Sequence, residues 1–195
     1  IVIDISSKGS FILQDELRNF EQNLAKYLDA KFSIGVGNCT DGLLLALKAA
    51  GIGKGDEVIF CSHTFVATAS AIHYSGAVPV PIECGNDHLI DVKMIESAIT
   101  NKTRAIVPTQ LNGQVCDMDS ILRICSKRDL VLIEDAAQSL GAKYKGKSIG
   151  TFGLASAYSF YPAKNLGCFG DGGSVVTNSQ QIYDEVYLTR DHGRS

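Results

Sequence analysis

The 195-residue chain carries 18 Lys plus Arg against 21 Asp plus Glu, a net charge of −3, with 45% hydrophobic and 20% charged residues. That balance describes a globular domain and excludes a disordered tail, a collagen-like repeat and a polycation that coats nucleic acid, so no nucleic-acid partner is expected. No apolar stretch approaches the ~18 residues that span a bilayer, and the Ile1 to Ile5 run, broken by Asp4, is too short for a signal-peptide core, so a cytoplasmic protein with no membrane partner is expected.

The chain alternates apolar strand-like runs with helical patterns. The first helical stretch spans Asp15 to Leu28, followed by a short strand at Phe32 to Val36 and, across Gly37-Asn38-Cys39, an apolar helix from Thr40 to Ala50. Thr40 suits the N-cap of that helix and Gly51 the left-handed residue that closes it. Glu57 to Cys61 reads as a buried strand, Thr64 to Tyr74 as a helix, and Val78 to Ile82 as a strand that Pro79 and Pro81 confine to an edge or a bulge. Met94 to Ile99 and Met118 to Ser126 read as helices, and Arg104 to Val107 as a strand. Leu130 to Asp135, with its Val131-Leu132-Ile133 run, reads as a strand buried on both faces. Beyond it, Leu154 to Phe160 and Ser174 to Thr177 are strands joined by a Gly-rich, irregular segment, and Gln181 to Arg190 is helical. This rhythm predicts one α/β domain built on a mostly parallel sheet with helices on both faces. The six cysteines (Cys39, Cys61, Cys84, Cys116, Cys125, Cys168) form no C-x-x-C pair and sit mostly in apolar runs. They predict a reducing compartment, with neither a disulfide framework nor a metal site.

In such sheets ligands bind beyond the carboxyl ends of the strands, which singles out four places. The turn Gly35-Val36-Gly37-Asn38-Cys39-Thr40-Asp41-Gly42 delivers the chain into a helix N-terminus, suited to an anion such as phosphate or simply to a tight connection. It is neither a Walker loop nor a full G-x-G-x-x-G. Asp135, ending the most hydrophobic strand, either caps the next turn or holds a cationic nitrogen or a metal, the metal being disfavoured because no nearby His or Cys is placed as a ligand. Lys164, across the stiff Tyr161-Pro162-Ala163 turn, is either a solvated surface amine or a nucleophile among apolar neighbours, with glycines close by that admit a bulky ligand. Phe65 is either core or a platform for a planar cofactor. His63, in the same segment, is equally open.

Taken in order, Gly37-Asn38-Cys39-Thr40-Asp41-Gly42-Leu43, Thr64-Phe65-Val66-Ala67-Thr68, Glu134-Asp135-Ala136-Ala137-Gln138-Ser139-Leu140-Gly141, Ser159-Phe160-Tyr161-Pro162-Ala163-Lys164-Asn165-Leu166-Gly167 and Gly170-Asp171-Gly172-Gly173 resemble the nucleotide-sugar aminotransferases of the DegT/DnrJ/EryC1/StrS family. Gly9-Ser10-Phe11-Ile12 and Leu111-Asn112-Gly113-Gln114 extend the resemblance over essentially the whole chain. It implies the large domain of a fold-type I, pyridoxal 5′-phosphate-dependent enzyme. By this resemblance Lys164 forms the Schiff base and shuttles protons, Asp135 pairs with the pyridinium nitrogen, and Gln138 bonds the ring hydroxyl. Phe65 stacks on the ring, while Thr40, the backbone at Asp41, and Ser159 bind the phosphate. The implied reaction moves an amino group from Glu or Gln to a nucleotide-linked keto-sugar through the pyridoxamine 5′-phosphate form, in a homodimer whose subunits share the active site. Lys164 favours this over the related sugar dehydratases, which carry His there.

Ala163 and Gln110 depart from the family pattern, where Thr or Ser and His are common. The family also continues with the remainder of the large domain and a small domain, so residues 1–195 are expected to be the incomplete PLP-binding large domain, a reading to which the missing initial Met and the end at Ser195 conform. The alternatives are a PLP-binding regulatory protein without turnover and, more remotely, a protein that binds dinucleotide phosphates at the Gly35 to Gly42 turn.

Overall fold

A computed structural model describes residues 2–9 and 11–194; the Ile1 start, Ser10 of the Gly9 to Ile12 motif and the Ser195 end lie outside the described residues. In chain order the elements are α1 Val2–Lys8, α2 Asp15–Leu28, β1 Phe32–Val36, α3 Cys39–Ala49, β2 Glu57–Cys61, α4 Val66–Ser75, β3 Val78–Ile82, α5 Val92–Ala98 and β4 Thr103–Val107. They continue as α6 Met118–Arg128, β5 Val131–Asp135, β6 Lys143–Tyr144, β7 Lys147–Ser148, β8 Ala155–Ser159, β9 Gly173–Thr177 and α7 Gln180–Thr189. Seven strands form one sheet in the order β1-β9-β8-β5-β4-β2-β3, and β6 and β7 form a separate small hairpin. Helix α1, which buries no residue, and the hairpin are additions to the predicted elements.

The β2–β3, β2–β4, β4–β5 and β5–β8 pairings are parallel, as the alternation of strands and helices requires. The exception is β9, antiparallel to both β8 and β1. A parallel return needs a crossover, usually helical, and the Gly-rich 160–172 segment has no helix, so the chain turns straight back. In consequence β1, β2, β3, β4, β5 and β8 all end at one edge of the sheet, where β9 begins. Strand β3 stands at the sheet edge, where its prolines are tolerated because one side of the strand needs no ladder donors.

Side chains alternate across the sheet and divide the core in two. Ile59, Ile106, Leu132 and Val176 face one layer with Leu24 and Leu28 of α2, Ile95 of α5 and Met118 and Ile121 of α6. Val58, Ala105, Ile133 and Val175 face the other, with Leu43 and Leu47 of α3, Ile72 of α4 and Ile182 and Val186 of α7. The period of two within Val131-Leu132-Ile133, apolar on both sides, is what a doubly covered strand demands. At the opposite edge the exposed backbone of β1 is covered by charge. Glu21 accepts from Gly35 N at 2.7 Å, Arg190 Nη1 donates to Gly35 O at 3.2 Å, and the two side chains form a buried ion pair. That arrangement satisfies an edge that would otherwise invite further strands. Among the described residues no helix is long and apolar enough to cross a membrane.

Candidate active site

The strand ends converge on a cleft of about 580 Å³. Thr40, Phe65, Asp135, Gln138, Ser159 and Lys164, widely separated in the chain, all line it. Asp41 does not.

Asp135 ends β5 at its carboxyl end and is 4% exposed. Its Oδ2 accepts from Thr68 Oγ1 at 2.7 Å and Thr109 Oγ1 at 3.3 Å, and its Oδ1 accepts from Ala137 N at 3.1 Å. Thus it closes the following turn and also presents a carboxylate to the cleft, so the two sequence readings do not exclude each other. Burial pushes its carboxyl above the ordinary range, opposed by hydrogen bonds from Thr68, Ala137 and Thr109 and by the charge of Lys164. Thr64 Oγ1 lies 2.8 Å from Thr68 Oγ1 and 2.9 Å from Thr109 Oγ1, making a threonine triad behind the acid. Such a buried carboxylate, held by neutral donors only, suits a cationic nitrogen brought into the cleft.

The neighbouring Glu134 points to the other side of the sheet. It is fully buried and accepts from Gly150 N at 2.9 Å, Phe152 N at 2.8 Å and Gly153 N at 3.0 Å. Its second acceptor sites face Gln110 Nε2 at 3.4 Å, and Gln110 Oε1 in turn accepts from Cys116 N at 2.8 Å. Gln110 is therefore an interior strut that does not line the cleft, so its departure from the family pattern bears on packing and not on a substrate-facing surface.

The anion site differs in detail from the prediction. Helix α3 begins at Cys39, and its cap is Asn38, not Thr40. Asn38 has the extended backbone of a cap residue, and its Oδ1 accepts from Asp41 N at 2.8 Å while its Nδ2 donates to Asp41 Oδ2 at 2.8 Å. The Asp41 N–H expected to meet a phosphate is thereby engaged. The N–H groups of Cys39 and Thr40, one and two residues into the helix, find no acceptor among the described residues and take over that capacity. Gly173, opening β9, lies against this helix start, where only a residue without a side chain fits.

Phe65 caps α4 with no side-chain bond and is 68% exposed, an aromatic side chain that lines the cleft with no aromatic partner among the described residues. Gln138 Oε1 accepts from Asn112 N at 2.8 Å, which orients the amide and leaves its NH₂ group to donate. Ser159 ends β8, and Lys164 is half-buried at a turn closed by Lys164 N donating to Tyr161 O at 2.8 Å. The donor set fits a planar, phosphorylated, cationic ring compound: backbone amides and hydroxyls for the phosphate, an amide and a carboxylate for the ring edge, an aromatic face, and an amine.

Sequence reasoning missed Asn38, Thr68 and Thr109. Thr68 follows Thr64 by four residues, a spacing that brings two side chains together at a helix start and was a usable signal; Thr109 reaches the site only through the β4–β5 pairing. It also predicted no metal ligands, yet the structure brings His63, Cys84 and His88 together. Strands β2 and β3 are paired with Cys61 opposite Ile82, and continuing that register by two residues sets His63 opposite Cys84.

The model of the DegT/DnrJ/EryC1/StrS aminotransferase family matches residues 1–195. The chain is 44% identical over 194 residues to a pleiotropic regulatory protein of Geobacillus stearothermophilus, covering 99% of this chain and 52% of the relative. It is 43% identical over 190 residues to the dTDP-3-amino-3,4,6-trideoxy-alpha-D-glucose transaminase of Streptomyces venezuelae, covering 97% of this chain and 50% of that enzyme. Among solved structures it is similar to S. venezuelae DesV in complex with a ketimine intermediate, at TM-score 0.96 and 42% identity, over 99% of this chain and 52% of that one. The chain thus spans about half the length of the curated relatives it matches.

Proposed function

The chain belongs to the DegT/DnrJ/EryC1/StrS aminotransferase family, and we propose that it forms the cofactor-binding, large-domain part of a pyridoxal 5′-phosphate-dependent sugar aminotransferase. Its reaction moves an amino group from Glu or Gln to a nucleotide-linked keto-sugar. The observation that carries this reading is the convergence on one cleft of an amine, Lys164, a buried carboxylate, Asp135, and an exposed aromatic side chain, Phe65, beside the open N-terminus of α3.

When bound, the cofactor supplies an electron sink for the carbon that gains or loses the amine. Asp135 holds a proton on the ring nitrogen, with Thr68 and Thr109 fixing its carboxylate. Gln138 donates to the ring hydroxyl, and Phe65 covers one ring face and excludes water from it. The Cys39 and Thr40 amides, with the hydroxyls of Thr40 and Ser159, bind the phosphate. Lys164 Nζ, at the cleft, would be the amine that holds the cofactor and would move a proton at the reacting carbon. Phe11, Ile12 and Leu166 line one apolar groove and are each exposed, a surface suited to burial by the rest of the protein and a second subunit, in keeping with an active site shared within a homodimer.

A second reading is favoured by one observation, the name of the G. stearothermophilus relative: a pyridoxal phosphate-binding regulator without turnover. Borohydride reduction of the full-length protein with added pyridoxal phosphate is expected to leave a pyridoxyl mass on the peptide bearing Lys164, and none in Lys164→Ala. Amino transfer from Glu or Gln to a keto-sugar nucleotide then separates enzyme from regulator. Absence of the adduct sinks both readings, and an adduct without transfer to any such sugar sinks the first.

A further inference from the structure

The loops after β2 and β3 bring together side chains that the cofactor cleft does not use. A ring nitrogen of His63, a ring nitrogen of His88 and Cys84 Sγ all lie within 4.8 Å of one another, and none of these residues lines the cleft. We propose that His63, Cys84 and His88 are the protein ligands of a site for a borderline divalent transition ion of the Zn²⁺ type, with the fourth position open to water.

The backbone arranges two of the ligands before any ion arrives. The β2–β3 register carries His63 and Cys84 to matching positions beyond their strands. The third ligand comes from a tight turn: Gly85 N donates to Leu89 O at 2.8 Å, His88 N donates to Gly85 O at 2.9 Å, and Cys84 pairs with Ile90 in an isolated bridge. His88 itself adopts φ +65°, a left-handed conformation uncommon for a residue with a side chain, which aims its ring back toward the strand ends. His63 Nδ1 donates to the His88 carbonyl at 3.1 Å, which holds the ring and leaves Nε2 with the lone pair. A histidine whose other nitrogen is tied to a backbone carbonyl is the usual arrangement of a metal-binding imidazole.

The donor types choose the ion. Two imidazoles and a thiol suit Zn²⁺ and its neighbours, whereas Mg²⁺ and Ca²⁺ want oxygen. Tetrahedral bonds of the usual lengths set such donors about 3.3 to 3.6 Å apart, a contraction that the exposed rings of His63 and His88 reach by side-chain rotation. Cys84 binds as thiolate, and its proton passes to solvent. The local field agrees, because residues 55–92 contain no Lys or Arg while Glu83 and Asp87 flank the ligands. An ion here ties the edge strand β3 to the segment that presents Phe65.

Metal-stripped protein titrated with Co²⁺ alone is expected to take up a single ion per chain, with a thiolate-to-metal charge-transfer band and the visible bands of a tetrahedral site, and Zn²⁺ is expected to displace it. Cys84→Ser removes the charge-transfer band. His63→Ala and His88→Asn each weaken binding by more than about 100-fold, because even outer partners of a metal site are worth about 10- to 100-fold; Asn is chosen at 88 because it tolerates left-handed backbone. Cys168→Ser, which removes an exposed thiol elsewhere, leaves the spectrum intact. Absence of the bands, or bands that survive Cys84→Ser, overturns the site. Should Cys84→Ser fail to fold by circular dichroism, undiminished Co²⁺ affinity in His63→Ala overturns it equally.

Discussion

Thr68 donates its hydroxyl to Asp135 Oδ2 at 2.7 Å, joining the interior of α4 to the end of β5 at a point sealed from solvent. The same hydroxyl lies 2.8 Å from Thr64 Oγ1. Thr68→Val keeps the shape and removes the donor, so the carboxylate loses its shortest bond. The expected cost is about 1–3 kcal/mol, the range for leaving a buried acceptor without its partner. Thr68→Ser restores most of it. Urea unfolding of the cofactor-free protein measures the cost, and an unchanged midpoint for Thr68→Val contradicts the assignment. A parallel titration with pyridoxal phosphate is expected to show weaker retention in the Val variant only.

Burial raises the Asp135 carboxyl above its ordinary value of 3.8. The folded chain therefore binds this proton more tightly than the unfolded chain. Ionisation consequently costs folded stability: the cost is absent below 3.8 and grows as pH climbs through the raised folded value. Asp135→Asn removes it, since the Thr68 and Thr109 hydroxyls can rotate to accept from the new amide. The cofactor-free variant is expected to be more stable than the parent at pH 8, with the advantage shrinking toward pH 4. Glu134, also raised by burial, is present in both proteins and cancels in the difference. The same substitution is expected to leave pyridoxal phosphate bound and amino transfer severely reduced, a trade of stability against function. Urea midpoints at the two pH values decide the matter, and a difference that does not vary with pH would falsify it.

What could be read ahead depended on whether a residue's role was local. Strands β1, β2 and β3 match their predicted bounds residue for residue, because short apolar runs bounded by Gly, Asp and Asn punctuate themselves. The cap of α3 was displaced from Thr40 to Asn38 because both residue types cap well, and backbone conformation, not composition, chooses between them. Strands β6 and β7, two residues each, carry too little period to register. Asp135, Lys164 and Phe65 stood out because strand ends mark the ligand edge of such a sheet, whereas Gln138 came only from the family resemblance. Thr109, Cys84 and His88 did not, because their neighbours are set by pairings between distant strands. The antiparallel β9 belongs to both groups: its existence was legible, and its direction followed only from the absence of a crossover helix.

That reversed strand places Gly173 against the start of α3, in contact too close for any side chain. A Cβ on Gly173 would stand 2.5 Å from Asn38 C, 2.7 Å from Asn38 O and 2.7 Å from Cys39 N. All three are backbone atoms, so no rotamer relieves the collision, and Gly173 is already paired on both sides, with Val36 and Ser159. Gly173→Ala must push the helix start away from β9, carrying with it the Cys39 and Thr40 amides that face the cleft. The expected loss is at least about 1–3 kcal/mol, the usual cost of overpacking, together with weakened retention of pyridoxal phosphate. Gly42→Ala is the contrasting case. Its Cβ would meet Ala157 Cβ at 3.3 Å and two valine methyl groups at 3.4 and 3.5 Å, all side chains. The gain of about 1 kcal/mol in helix propensity offsets much of that crowding. Thermal unfolding of the two variants, with cofactor titrations alongside, is expected to rank Gly173→Ala far below Gly42→Ala. Equal stability, or full cofactor affinity in Gly173→Ala, would show that the helix start is free to shift without disturbing the phosphate site.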